Sequence, residues 1–247
     1  MTSFSTSQFA SRLSQLQTVR GDTVAQGGEL RPKMLKGGLV QFAQSPPGVL
    51  NVIAFQYNPD TLTRTLTPRA MGGEPGDRLE TLRLTGPPKE TIKVEAEFDA
   101  ADTQPQYVAT PYLETVTQAV GLLPILAALE GLISPTNAQI GETSALFGQG
   151  EFEVAPVEAP LTLFVWGSKR IVPVLVTSMT LTEEAFGAQL QPIRAKVSLE
   201  LKILTSSDFP PGSNGEARYL AYRSYNEAWA AQVATTNTAT LGIEHLS

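Results

Sequence analysis

Ile193-Arg194-Ala195-Lys196-Val197-Ser198-Leu199-Glu200-Leu201-Lys202-Ile203 alternates apolar and polar residues without a break. Successive side chains of a strand point to opposite faces, so this run predicts a long strand with one buried and one wet face. Ile92, Val94, Ala96 and Phe98 repeat the pattern against Lys93, Glu95, Glu97 and Asp99. Two strands of this kind require a sheet covered on one side, which predicts a mainly β, α+β protein built on antiparallel pairing. Lys93, Glu95 and Glu97 share a wet face and read as cross-strand charge pairs.

Working outward, Leu161 to Trp166 and Arg170 to Leu181 flank Gly167-Ser168, a pair suited to a type II′ hairpin turn. Gly38 to Ala43 and Val49 to Tyr57 form a second expected hairpin around Ser45-Pro46-Pro47-Gly48. Leu79 to Leu84 reads as a further strand, cut off from Glu90 to Asp99 by Gly86-Pro87-Pro88. Thr67 to Asp77, TPRAMGGEPGD, reads as a long exposed loop.

Helical spacing runs from Thr110 to Ile133 through Leu113, Val116, Val120, Leu123, Leu126 and Leu129. Thr110 is the expected cap, Pro111 the first helical residue, Pro124 a kink, and Gly131 with Ser134-Pro135 the stop. Residues 134 to 159 are loop-like. After the breaker cluster that follows Ser206, Ala217 to Val233 predicts a helix with Leu220, Tyr225, Trp229 and Val233 on one side. The expected organisation is an N-terminal arm over 1–37, with a short helix at Phe9, Leu13 and Leu16, a β domain over 38–205 and a helical extension over 206–247.

Composition limits the chemistry. With 42% apolar and 17% charged residues the chain has the make-up of a globular protein. A formal charge of −6 argues against nucleic acid as a primary ligand. Arg12, Arg20, Arg31, Lys33 and Lys36 are widely spaced and read as a solvated arm. The apolar stretch Ala119 to Leu129 is far short of the roughly twenty residues of a membrane span, so no membrane insertion is expected. The start, MTSFSTSQFASRL, has no signal-peptide pattern, and synthesis and assembly in the cytoplasm are expected.

There is no cysteine, and the one histidine is His245, near the C-terminus. Thiolate chemistry is excluded, and a Ser–His triad has no placed base. No nucleotide-binding, zincin or nucleophile-elbow motif occurs, so neither catalytic residues, cofactor nor metal are expected. Asp99 with Asp102, and Glu183 with Glu184, are the carboxylate pairs open to acid–base or cation chemistry; both read as ordinary charges near strand ends.

One ordered set of segments is more specific. It runs Val52-Ile53-Ala54-Phe55-Gln56-Tyr57-Asn58-Pro59, then Leu163-Phe164-Val165-Trp166-Gly167, then Val174 to Met179, Phe186-Gly187-Ala188, and Gln191-Pro192-Ile193-Arg194-Ala195-Lys196-Val197. Pro59 ends a strand and leaves Asn58 to close a turn, Gly167 supplies a positive φ, Pro192 opens a strand, and Arg194 begins its wet face. In this order across residues 38 to 205 the set resembles the tube-like baseplate and adaptor proteins of contractile injection systems, related to phage tail tubes.

That resemblance implies a tail-tube-like antiparallel β-barrel or sandwich with a central and a C-terminal helix. It also implies a homo-hexameric ring between spike and inner tube, with the spike or hub protein, the inner tube protein and possible further baseplate proteins as partners, in a phage-tail-like particle that is released or membrane-docked. Tyr57, Asn58, Pro59, Trp166, Gly167, Pro192 and Arg194 carry it. The LysM module of many such adaptors has no counterpart after Ser206, which favours a tube-layer or tube-initiator role over a wedge-linking one. The Thr67 to Asp77 loop, with Arg69, Glu74, Asp77 and Arg78, is the candidate assembly interface. Two other classes stay open from the residues: a ligand-binding barrel lined by Trp166, Phe164, Phe98 and Tyr57, and a carboxylate-dependent enzyme.

Overall fold

The computed structural model describes residues 35–43, 48–70, 83–102, 120–141 and 159–233. The strand β7 (Pro192–Ile203) runs between β6 (Ile171–Phe186) and β4 (Leu84–Asp99), both antiparallel to it. Ile92, Val94, Ala96 and Phe98 stand opposite Leu201, Leu199, Val197 and Ala195, and all eight are buried. The intervening wet positions also match: Lys93 faces Glu200 and Glu97 faces Lys196, at 3.6 and 3.8 Å, while Glu95 faces Ser198. The alternation fixes this register, because a slip of one residue would turn every apolar side chain to water.

The remaining strands are β1 (Gly38–Ala43), β2 (Gly48–Ala54), β3 (Leu62–Ala70) and β5 (Leu161–Val165). One seven-stranded sheet results, in the order β2-β1-β5-β6-β7-β4-β3. This is the expected mainly antiparallel α+β class. Among the described residues a closed barrel is not formed: the sheet is open and ends at β2 and β3. Helix α1 (Leu123–Glu130) lies near β2 and contributes Leu126 and Leu129 to the core, so a helix covers part of it in place of continued strand pairing.

Several local expectations are corrected. Gly86-Pro87-Pro88 does not interrupt a strand but lies inside β4, which starts only at Leu84. The prolines fall at a register shift, between Thr67 opposite Lys89 and Arg69 opposite Gly86, and β4 meets β7 only from Thr91 onward. Missing N–H groups are tolerated there because that stretch has a ladder on one side only. Thr67 to Ala70, expected to be loop, belong to β3, whose Leu-Thr-Arg-Thr-Leu-Thr alternation was not recognised as a strand.

Pro124 stands in the first turn of α1, where its absent N–H has no helical partner to lose, and is not a mid-helix kink. Just before it, Gly121 has φ +62° and closely approaches the Pro192 carbonyl, which accepts from the Leu122 N–H at 2.9 Å. The β5–β6 turn closes over Gly167-Ser168-Lys169, three residues, with the Trp166 N–H donating to the Arg170 carbonyl at 2.8 Å; Gly167 has the expected positive φ. β6 runs on past Leu181 to Phe186.

Helix α2 (Asn214–Val233) buries Gly215, Tyr219 and Tyr222, spaced four and three residues apart. Leu220, Tyr225, Trp229 and Val233, the residues that spacing places on one side, are exposed, and from Glu227 onward every residue of the helix is exposed. Tyr222 can take a core position because its hydroxyl finds partners there, donating to Glu90 and accepting from Arg64. The helix over Phe9 to Leu16, the cap at Thr110 and Pro111, the strand at 79–82 and His245 lie outside the described residues.

Candidate functional site

β2 ends at Ala54, and the four residues after it hold two distant parts of the chain, the segment Leu35–Gly37 and the end of β4 at Asp99–Asp102. Phe55 is fully buried, and its N–H donates to the Gly37 carbonyl at 2.9 Å. The Gln56 carboxamide bonds the backbone of Asp99 twice: Nε2 donates to the Asp99 carbonyl at 2.8 Å, and Oε1 accepts from the Asp99 N–H at 2.7 Å. The Tyr57 hydroxyl donates to Asp102 Oδ2 at 2.5 Å. Asn58 Oδ1 accepts from the Gly37 N–H at 2.9 Å while Nδ2 donates to the Leu35 carbonyl at 2.8 Å. Pro59 then ends the corner before β3.

Asn58 was expected to close its own turn; it closes onto a segment more than twenty residues earlier. A planar amide with one donor and one acceptor edge reproduces what a neighbouring strand would offer. Gln56 therefore links the end of β2, one edge of the sheet, to the end of β4, next to the other edge. The sheet is not closed by strand pairing, yet one side chain bridges it at this corner.

Charges surround the bridge. Arg194 places Nε and Nη2 at 3.0 and 2.8 Å from Asp99 Oδ2, and the Ala101 N–H bonds Asp99 Oδ1 at 2.8 Å. Burial alone would raise the Asp99 pKa, but the Arg194 and Ala101 bonds outweigh it and hold the carboxyl below its ordinary value. Arg194 is correspondingly pushed up by its bond to Asp99. Lys36 donates to the Gln56 carbonyl at 3.0 Å, and burial lowers its pKa against the opposing pull of Asp102.

Tyr57, Glu97, Phe98, Asp99, Glu184, Arg194 and Lys196 line a depression of about 280 Å³. Two residues of the sequence-derived set, Tyr57 and Arg194, thus meet here, although one follows β2 and the other opens β7. The carboxylates of the two sequence pairs have other partners. Asp99 is held by Arg194 and Asp102 by Tyr57, while Glu184 is 3.5 Å from Lys196 and Glu183 stands opposite Ala195. Among the described residues no group of acidic or histidine side chains has the make-up of a metal site.

The other singled-out residues serve packing. Trp166 stacks on Phe164 with centroids 5.9 Å apart, and its ring lies so close to Gly37 that a Cβ there would collide. Phe98 and Phe164 are buried in the core, and Phe98 also lines the depression beside Tyr57. Arg69 sits in β3 with its Nε buried and without a hydrogen-bond partner. Glu74, Asp77 and Arg78 lie outside the described residues.

Sequence reasoning missed Gln56 as a bridge, and it missed a second polar cluster. Glu90 is buried beneath Arg64, whose Nε donates to Glu90 Oε1 at 2.6 Å and whose Nη2 donates to the Tyr222 hydroxyl at 2.6 Å. The Tyr222 hydroxyl in turn donates to Glu90 Oε1 at 3.2 Å. This ties β3, β4 and α2 together. The signal was present: Glu90 shares the parity of Ile92 and Val94, so the alternation puts a carboxylate on the core face, where it needs partners.

No family model matches the chain, and no curated protein matches it. Among solved structures, a chain described as "Virion of native gene transfer agent (GTA) particle" is similar over 67% of this chain and 95% of that one, at 11% identity and a TM-score of 0.25. At that score the likeness carries no argument about this protein.

Proposed function

We propose that this chain is a non-enzymatic structural subunit of a phage-tail-like contractile injection system, forming a ring at the baseplate that joins the spike to the inner tube. The observation that carries this reading is the pair of open sheet edges. Among the described residues β2 pairs only with β1 and β3 only with β4, and β2 exposes Val49, Leu50 and Val52. An apolar edge strand with unpaired N–H and C=O groups is a template for pairing with another chain. Because the two edges differ, joining β2 of one copy to β3 of the next is a head-to-tail contact, and such contacts close into rings when the rotation allows.

The reading also draws on the ordered motif set. In the structure its residues act as packing and clamping groups, a use that suits a scaffold. The hexameric state, the inner tube and spike proteins as partners, and the assembled particle as location are parts of the same proposal.

Native mass measurement and electron microscopy of the purified chain, alone and with inner-tube subunits, test it. Closed rings of six copies that add tube subunits are expected, and Val52→Lys is expected to reduce ring formation while leaving the monomer folded. A stable monomer that ignores tube and spike proteins would overturn the reading.

A further inference from the structure

We propose that the corner Gln56–Asn58 is a two-sided latch, which makes the seating of Leu35–Gly37 and the docking of the β4 end at Asp99 open and close together. The two sides are held by side chains two residues apart. Asn58 holds Leu35 and Gly37 through both of its amide atoms, and Gln56 holds Asp99 through both of its own. Further bonds tie the corner to each side: Phe55 N–H to the Gly37 carbonyl and Lys36 Nζ to the Gln56 carbonyl on one, Tyr57 hydroxyl to Asp102 on the other.

No ladder supports this corner from within. β2 has already ended at Ala54, and β3 does not begin until Leu62, so residues 55 to 61 belong to neither strand. Their position is set by the side-chain bonds, by the one backbone bond from the Phe55 N–H to the Gly37 carbonyl and by the buried Phe55 ring. If Leu35–Gly37 lifts, Asn58 loses both partners, Lys36 leaves the Gln56 carbonyl, and the backbone that aims Gln56 at Asp99 is no longer fixed. The reverse follows by linkage, since a coupling between two sites acts equally in both directions. The proposal concerns one folded subunit and does not depend on whether it assembles.

Amide hydrogen exchange on the full chain tests this, with Asn58→Ala and Gln56→Met as the variants. Asn58→Ala removes contacts to the lead-in segment alone, yet exchange at the Asp99 N–H is expected to quicken by about tenfold, the scale of one lost hydrogen bond. Gln56→Met, of similar length but without the amide, is expected to quicken the Gly37 N–H by a similar factor. In both variants the Leu199 N–H, at the centre of the sheet, is expected to stay at its wild-type rate. Should Asn58→Ala fail to fold, Asn58→Asp keeps the acceptor for Gly37 and sets a carboxylate oxygen against the Leu35 carbonyl in place of the donor, and the same reading at Asp99 is expected. If each variant speeds exchange only on its own side, or if Leu199 quickens as much as Asp99, the latch does not exist.

Discussion

The Gln56 side chain exchanges two hydrogen bonds with the backbone of Asp99, so that a carboxamide stands where a strand neighbour would stand. An amide edge left without partners at a part-buried position loses solvation that nothing returns. Gln56→Ala is therefore expected to lower stability by about 1–3 kcal/mol. Chemical denaturation with unchanged m-value is the check, and a loss within error of zero would mean that water replaces the amide at no cost.

The core register makes a sharper statement. Val94 and Leu199 face each other inside the sheet, while Glu95 lies on the outer face opposite Ser198. Val94→Asp and Leu199→Asp each bury an unpaired carboxylate and are expected to abolish soluble folding. Glu95→Gln is expected to stay within about 0.5 kcal/mol of wild type. Thermal melting of the three variants compares them directly.

In the Arg64–Glu90–Tyr222 cluster, one carboxylate oxygen serves two donors. Tyr222→Phe is expected to cost about 1–3 kcal/mol. Glu90→Ala is expected to cost about 3 kcal/mol or more, because it leaves Arg64 facing the core without its counter-charge. A double-mutant cycle between positions 64 and 90 is expected to show coupling, which additive losses would contradict.

Acid stability follows from two carboxylates. Asp208 is pressed upward by burial, but the Thr205 N–H and hydroxyl and nearby Lys202 outweigh that and lower its pKa; Asp99 is lowered in the same sense. A depressed folded-state pKa contributes stability that is present above the unfolded value of about 3.9 and lost as pH falls through the folded one. Stability is thus expected to decline below pH ~4, and Asp99→Asn with Asp208→Asn together to flatten that decline. Denaturation midpoints measured from pH ~6 down to ~2 test the sign.

Helix α2 separates buried from exposed aromatics. Tyr219→Ala is expected to destabilise by about 3 kcal/mol, and Trp229→Ala by under about 1 kcal/mol, because Trp229 is exposed and stacks on Tyr225, which is exposed as well. Equal losses would place Trp229 in the core.

The strands at 92–98 and 193–203 were legible because each has one wet face, and strict alternation has no other economical reading. β3 is less legible: Thr63, Thr65 and Thr67 alternate with Leu62, Arg64 and Leu66, but an arginine among the leucines hides the pattern, and its partner Glu90 is far along the chain. The buried face of α2 was not legible because helical spacing alone does not say where the helix leaves the body, and Tyr219 and Tyr222 are buried while Trp229 lies beyond. The motif Phe-Gln-Tyr-Asn-Pro was noticed for its strand end. Its partners Leu35, Gly37, Asp99 and Asp102 are distant in sequence, and no local rule links an amide to a backbone forty residues away.

The strand order has a consequence in time. β1–β2, β3–β4 and β5–β6–β7 are ribbons of sequence neighbours, whereas the seams that join them, Gly38 opposite Val165 and Asp99 opposite Arg194, connect distant parts of the chain. During synthesis the first two ribbons emerge with Leu39, Ile53, Val94 and Phe98 uncovered, and they wait until the third has left the ribosome. Folding of this sheet is a late event gated by loop closure, slow by the measure of sequence separation, and the nascent chain is most exposed to aggregation just before β7 arrives.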